Sequence, residues 1–130
     1  MTSHARGDFD ITLVPQPPGE SGIAIGRMLL DKQFHGDLDA MSKGQMLAVR
    51  TVVENSGGYV AMEQVSGTLL GRKGTFALQH SGTMNRGEQE LVITVVPDSG
   101  TGELEGLMGT MMIIIEGGKH SYDFEYSLAD

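Results

Sequence analysis

The chain has no cysteine and no tryptophan, few basic residues, and no apolar run approaching the ~20 residues of a helical membrane span. Without cysteine there is no disulfide, thiol nucleophile or thiolate metal site, and the redox compartment is left open. Nine Lys and Arg stand against 17 Asp and Glu, a formal charge of -8. No basic stripe interrupts that balance, so neither nucleic acid nor an anionic membrane is an expected partner. The opening MTSHARGDFD lacks the apolar centre of a secretion signal, and a soluble cytoplasmic protein is expected.

What is abundant is glycine, with 19 residues, and methionine, with nine, in a chain of 130. That length suits one domain, residues 1–130, around a single core. Unbranched thioethers fill irregular space, so a Met-rich interior adapts its shape easily.

Apolar residues recur mainly at every second position, and Gly-containing breaks arrive at even intervals, which describes strands rather than helices. Strands are expected near Gly7–Val14, Ile23–His35, Met46–Glu54, Tyr59–Leu70, Thr75–Met84, Glu88–Val96, Gly102–Glu116 and Lys119–Leu128. The stretch PQPPGESG (15–22) makes the first connection, and GDLDAMSKGQ (36–45) is expected as a connection holding a short helical turn. Eight strands in meander order leave two exposed edges unless the sheet closes. The expected fold is therefore all-β, a closed and mainly antiparallel eight-stranded barrel. Closure would bring the last strand, with Tyr122, Phe124 and Tyr126, beside the first, with Phe9, Ile11 and Leu13.

Register can be read at two hairpins. A two-residue turn at Arg72-Lys73 would set Leu69 opposite Phe76, Gly67 opposite Leu78, and Val65 opposite His80. One face then carries Tyr59, Ala61, Glu63, Val65, Gly67 and Leu69 with Phe76, Leu78 and His80, and that is the core face. A turn at Gly117-Gly118 sets Ile115 opposite His120, Ile113 opposite Tyr122, Met111 opposite Phe124, and Gly109 opposite Tyr126. Glu116 would meet Lys119, and Gly109 would leave room for the Tyr126 ring.

The stretch SGTGELEGLMG (99–109) resembles a phosphate cradle only by its glycines. A dinucleotide fingerprint needs G-x-G-x-x-G between a strand and a helix, whereas this segment runs on into the strand-like LMGTMMIIIEGG. Pro97-Asp98-Ser99-Gly100 is turn chemistry, and the switch of apolar parity between Leu104 and Leu107 places Gly106 at a bulge. Met112, Ile114 and the run LVITVV (91–96) put apolar side chains on the outer face as well. A homo-oligomer covering them is expected.

Three segments carry a resemblance: GTLLGRKGTFALQHSGTM (67–84), VVPDSGTGELEGLMG (95–109) and GKHSYDFEYSL (118–128). They resemble the bacterial domain-of-unknown-function 3224 (DUF3224) family, which is assigned the allene oxide cyclase-like barrel. The resemblance implies a cavity-bearing barrel working without a cofactor. Allene oxide cyclases fold an unsaturated fatty-acid epoxide inside such a barrel, and the similar dirigent proteins orient phenolic radicals. None of their catalytic residues matches a position here, so their reaction is not carried over.

On the core face the residues able to do chemistry are His80 and Glu63, the two candidate catalytic groups. A buried imidazole needs a hydrogen-bond partner with or without a catalytic task. A carboxylate beside it must be paired or protonated. Arg50 is an expected partner, since a Gly57-Gly58 turn would set it diagonal to Glu63, and the alternatives are a structural Arg50–Glu63 pair or a catalytic Glu63. Arg72 belongs to a solvated turn, and Tyr122 packs its ring while its hydroxyl meets water or backbone. His80, His120 and Glu63 are inward ligand types without the spacing of a metal motif, so no metal and no cofactor are expected.

The expected function is binding of a small, largely apolar ligand inside the barrel. Tyr59, Glu63, Phe76, Leu78, His80, Ile113, His120 and Tyr122 would line the site, and cofactor-independent isomerisation or cyclisation is the chemistry such a site could carry. The alternative is a non-enzymatic, self-assembling barrel filled by its own side chains.

Overall fold

Alternation with period two is carried through nearly every segment, and it folds the chain into strands with one face inward. The computed structural model describes residues 2–17 and 25–128. Its strands are β1 (Ser3–Pro15), β2 (Gly26–Phe34), β3 (Leu38–Arg50), β4 (Gly57–Leu69), β5 (Arg72–Asn85), β6 (Glu88–Val95), β7 (Met108–Glu116) and β8 (Lys119–Ser127). A single 3-10 turn, Gly102–Leu104, interrupts them among the described residues. Every neighbouring pair is antiparallel, and β8 pairs with β1, so the eight strands close into a barrel in meander order. The expected fold is borne out. Of the first connection (15–22), residues 18–22 lie outside the described residues, as do Ile23 and Ala24 of the second expected strand.

Closure uses β1 twice. Its first half, Ser3–Asp8, pairs with β8, and its second half, Phe9–Pro15, pairs with β2. Phe9, Ile11 and Leu13 therefore face β2 partners, not the last strand as expected.

The hairpin of β7 and β8 has the expected register, including Gly109 opposite Tyr126 and Glu116 opposite Lys119. Two details differ. Lys119 makes its ion pair with Asp8 on β1, at 3.3 Å. A Cβ at Gly109 would lie 2.4 Å from the Glu125 carbonyl oxygen and 3.0 Å from Phe124 Cε1, so this glycine admits the neighbouring backbone and the Phe124 ring rather than that of Tyr126.

The hairpin of β4 and β5 turns at Leu70-Gly71, not Arg72-Lys73. A two-residue turn matched to strand twist needs positive φ at both central residues, and Leu70 (45°) and Gly71 (87°) supply it. Val65 consequently faces Phe76, and His80 faces Ala61. This slip is an even number of residues, so each side chain keeps its expected face.

The expected connection at 36–45 is instead mostly strand, because β3 begins at Leu38 and runs to Arg50. Its inward positions carry Ala40, Ser42 and Gly44, which are too small or polar to display the alternation. The link between β2 and β3 shrinks to His35-Gly36-Asp37, and Thr51–Ser56 forms the next loop. Gly57-Gly58 opens β4 rather than making a turn.

The expected strand Gly102–Glu116 begins only at Met108. Gly106, at φ 83°, sits in a turn after the 3-10 segment and not in a bulge. Leu104 and Leu107 are three residues apart across that turn, which puts both into the core. The glycine-rich segment also covers the edge of β5 beyond the end of β6. Thr101 N–H donates to the Thr75 carbonyl at 2.8 Å, Thr75 N–H to Thr101 Oγ1 at 3.1 Å, and Ala77 N–H to Ser99 Oγ at 3.0 Å. These bonds satisfy backbone groups that would otherwise be an open sheet edge.

Beneath this cover Leu38, Leu69, Phe34, Phe76 and Phe124 pack with Leu104 and Leu107 into a continuous core. The rings of Phe76 and Phe124 stack at 5.9 Å. This end of the barrel is filled.

Candidate functional site

Above the filled end a polar layer crosses the interior. Lys32 on β2, Ser42 on β3, Glu63 on β4 and His80 on β5 all point inward and are all buried. Glu63 is the centre. Its Oε1 accepts from Lys32 Nζ at 3.1 Å and from His80 Nε2 at 2.9 Å, and its Oε2 accepts from Ser42 Oγ at 2.8 Å. The Lys32 ammonium also lies 5.1 Å from the centre of the Phe9 ring and 5.5 Å from that of Phe34, a favourable site for a desolvated cation.

Burial by itself pushes the Glu63 carboxyl upward. The His80 hydrogen bond, the Lys32 and His80 charges and the Ser42 hydroxyl together outweigh it and hold the group below the usual carboxylate range. A carboxylate bonded to one imidazole nitrogen fixes that nitrogen as the donor. In neutral imidazole the other nitrogen, Nδ1, is then a free acceptor. The pair can accept and return a proton through that atom.

Beyond the polar layer the interior opens. A cavity of about 730 Å³ occupies this mouth, walled by Leu13, Met28, Met46, Tyr59, Met84 and Leu91. Arg50, Glu54, Asn55, Gln89 and Glu90 also line it. The volume falls within the range of small-molecule sites, and apolar walls with a few polar groups are the usual composition. The Tyr59 ring lies across Gly82, the residue directly opposite it. A Cβ at Gly82 would come 2.5 Å from Tyr59 Cε1, so a bare backbone is what lets the ring lie there. Burial first, and then the Glu63 charge, push the Tyr59 hydroxyl above its ordinary value, so it stays protonated.

The residues expected to line one site separate into three groups. His80 and Glu63 meet in the polar layer, and Tyr59 reaches the cavity with its ring centre 6.3 Å from that of His80. Phe76, Leu78 and Tyr122 belong to the packed core, and Ile113 packs against it. The Tyr122 hydroxyl meets backbone, donating to the His35 carbonyl at 2.7 Å and accepting from Leu38 N–H at 3.0 Å, which pins the turn between β2 and β3. His120 is half-buried against Phe9, with ring centres 5.4 Å apart. Among the described residues no three His, Asp or Glu side chains converge, so His80, Glu63 and His120 do not form a metal set.

Arg50 is exposed, pairs across the ladder with Gly57, and does not reach Glu63, whose ladder partner is Gly44. The six-residue loop at 51–56 accounts for the difference, because it moves the register assumed for a Gly57-Gly58 turn. Lys32 and Ser42 are the partners not anticipated. Lys32 had a signal, since it shares parity with the buried Leu30 and Phe34, and a lysine on a core face requires an anion. Ser42 lay inside the segment read as a connection.

A family model described as "Protein of unknown function (DUF3224)" matches residues 5–126. A solved structure of a protein with unknown function from the DUF3224 family of Shewanella oneidensis MR-1 is similar at 48% identity. The match covers 100% of this chain and 99% of that one, with a TM-score of 0.93. No curated protein matches the chain. Neither description carries an activity, a ligand or the allene oxide cyclase likeness.

Proposed function

Because the chain belongs to the DUF3224 family, whose description assigns no activity, we propose its role from its own residues: the open mouth of the barrel binds a small, largely apolar molecule. The observation that supports this reading is the 730 Å³ cavity with methionine, leucine and Tyr59 walls. An apolar hollow of that size would be costly to leave in contact with water, and Met28, Met46 and Met84 can reshape around an occupant at little cost in strain. The site differs from the expected one in position. It lies above the polar layer, not among Phe76, Leu78 and Ile113.

The test is a titration with N-phenylnaphthylamine, a neutral dye whose emission rises in apolar surroundings. Saturable binding is expected, and Ala48→Trp, which fills the mouth from a lining position, should weaken it by about tenfold or more. Unsaturable emission, or equal binding by a folded Ala48→Trp protein, would overturn the reading.

A second reading, assembly of copies through the outer face, is supported by Val60, Val92 and Met112, which are 52%, 58% and 64% exposed. Native mass spectrometry decides it, with an oligomer expected and a monomer counting against it. A defined retained mass in the same spectrum would support the cavity reading.

A further inference from the structure

His80 differs from its three partners in the polar layer. Glu63 has its carboxylate fully engaged, accepting from Lys32, His80 and Ser42. Lys32 already balances the charge of Glu63. His80 spends Nε2 on Glu63, and among the described residues no donor reaches Nδ1. No buried side-chain nitrogen or oxygen there lacks a partner. Nδ1 is therefore not sealed in, and the 5% of the His80 side chain that remains exposed, against 0% for Glu63, includes it.

His80 itself does not line the mouth cavity, but its neighbour on the same face of the strand does. The next inward position on β5 after His80 is Gly82, which lines the cavity and has no side chain to intervene. The Tyr59 ring and the Leu91 side chain both lie across that position, with Tyr59 Cε1 2.5 Å and Leu91 Cδ1 3.3 Å from where a Gly82 Cβ would be. Both side chains turn about their own bonds, so an occupant of the cavity can reach the imidazole by displacing them.

We propose that His80 Nδ1 is the hydrogen-bond acceptor of the mouth site, and that its ligand is a small apolar alcohol or phenol donating its hydroxyl proton there; this rests on the cavity reading above. The donor inventory selects that class. A bare imidazole nitrogen accepts and does not donate, so a carboxylate or ether gains nothing from it. An amine could donate but would bring a second cation beside Lys32 with no spare carboxylate to balance it. A neutral hydroxyl on an apolar frame satisfies both the acceptor and the walls.

The experiment compares para-propylphenol with propylbenzene, which has nearly the same shape but no hydroxyl, by calorimetric titration at about pH 8, where a phenol keeps its proton. Wild type should bind the phenol tighter by about fivefold, the worth of one neutral hydrogen bond. His80→Leu removes the acceptor while Glu63 keeps its bonds to Lys32 and Ser42, and it should bind both probes equally. Tyr59→Phe should retain the preference. Equal binding of both probes by wild type, or a preference that survives His80→Leu or vanishes in Tyr59→Phe, would overturn the assignment while leaving the cavity reading in place. Binding of neither probe would overturn both.

Discussion

At one end of the barrel Leu38, Leu69, Leu104 and Leu107 close over the stacked rings of Phe76 and Phe124, while at the other Met28, Met46, Met84 and Tyr59 surround an open cavity. The same strands supply both ends. Among the described residues, what differs is what lies on the inward positions and what comes over the top. The closed end gains a lid, because the glycine-rich segment after β6 drops two leucines into it and bonds to the free edge of β5. Flexible and small residues at the mouth, such as Met46, Ala48 and Gly82, leave space instead. Between them the charged layer sets a boundary, since its members are bonded to one another rather than to either end. A barrel of this size need not be wholly filled or wholly hollow; here each condition occupies one end.

The boundary layer is where the comparison can be broken most severely. Lys32→Met leaves Glu63 buried without its cation, and a loss of about 3–5 kcal/mol in denaturant unfolding is expected. Adding Glu63→Gln removes the stranded charge, so the double variant should be more stable than Lys32→Met alone. A double variant no better than the single one would show that the pair is not coupled.

Truncation at the two ends comes next. Leu104→Ala in the filled end should cost about 2–5 kcal/mol. Met46→Ala, beside a space that already exists, should cost about 1 kcal/mol or less. Equal losses in urea unfolding would erase the distinction between the ends.

Acid sharpens the role of the layer. The Glu63 carboxyl is held below its ordinary value in the folded chain. Its contribution is therefore complete above the ordinary carboxylate range near about pH 4.3 and is lost as pH falls through the lower folded value. Asp123, held low by the His4 hydrogen bond and by Arg6, titrates in the same direction but lies near the surface. Thermal melts from pH 7 downward should show a steeper acid decline for wild type than for the Lys32→Met, Glu63→Gln double variant. Parallel declines would mean that the surface carboxylates set acid stability.

The smallest effect is expected outside the barrel interior. Lys119 has a side chain 71% exposed, and replacing it with alanine should change stability by no more than about 0.5 kcal/mol despite its ion pair with Asp8. A larger loss would give the outer seam between β1 and β8 an energetic weight that its exposure does not suggest.

Much of this architecture was legible in the sequence. Apolar alternation identified the inward set of β4 and β5, and Gly117-Gly118 set the register of β7 and β8 correctly. Where alternation was written in alanine, serine and glycine, as in β3, it could not be seen. The Leu104–Leu107 turn was also hidden, because a spacing of three can be read as a strand that changes face. The candidate site was legible in its two central residues, Glu63 and His80, and not in their setting.

The division has a physical reason. Side-chain direction in a strand depends only on odd or even position, so the sequence by itself determined which residues enter the interior, and even the misplaced β4–β5 turn left those faces unchanged. Which inward residues meet depends on register and closure across strands far apart in the chain. Lys32 and Glu63 are separated by 31 residues, and only the tertiary structure brought them to 3.1 Å. The open mouth was decided in the same way, because a cavity is the volume left over after all eight strands have been placed.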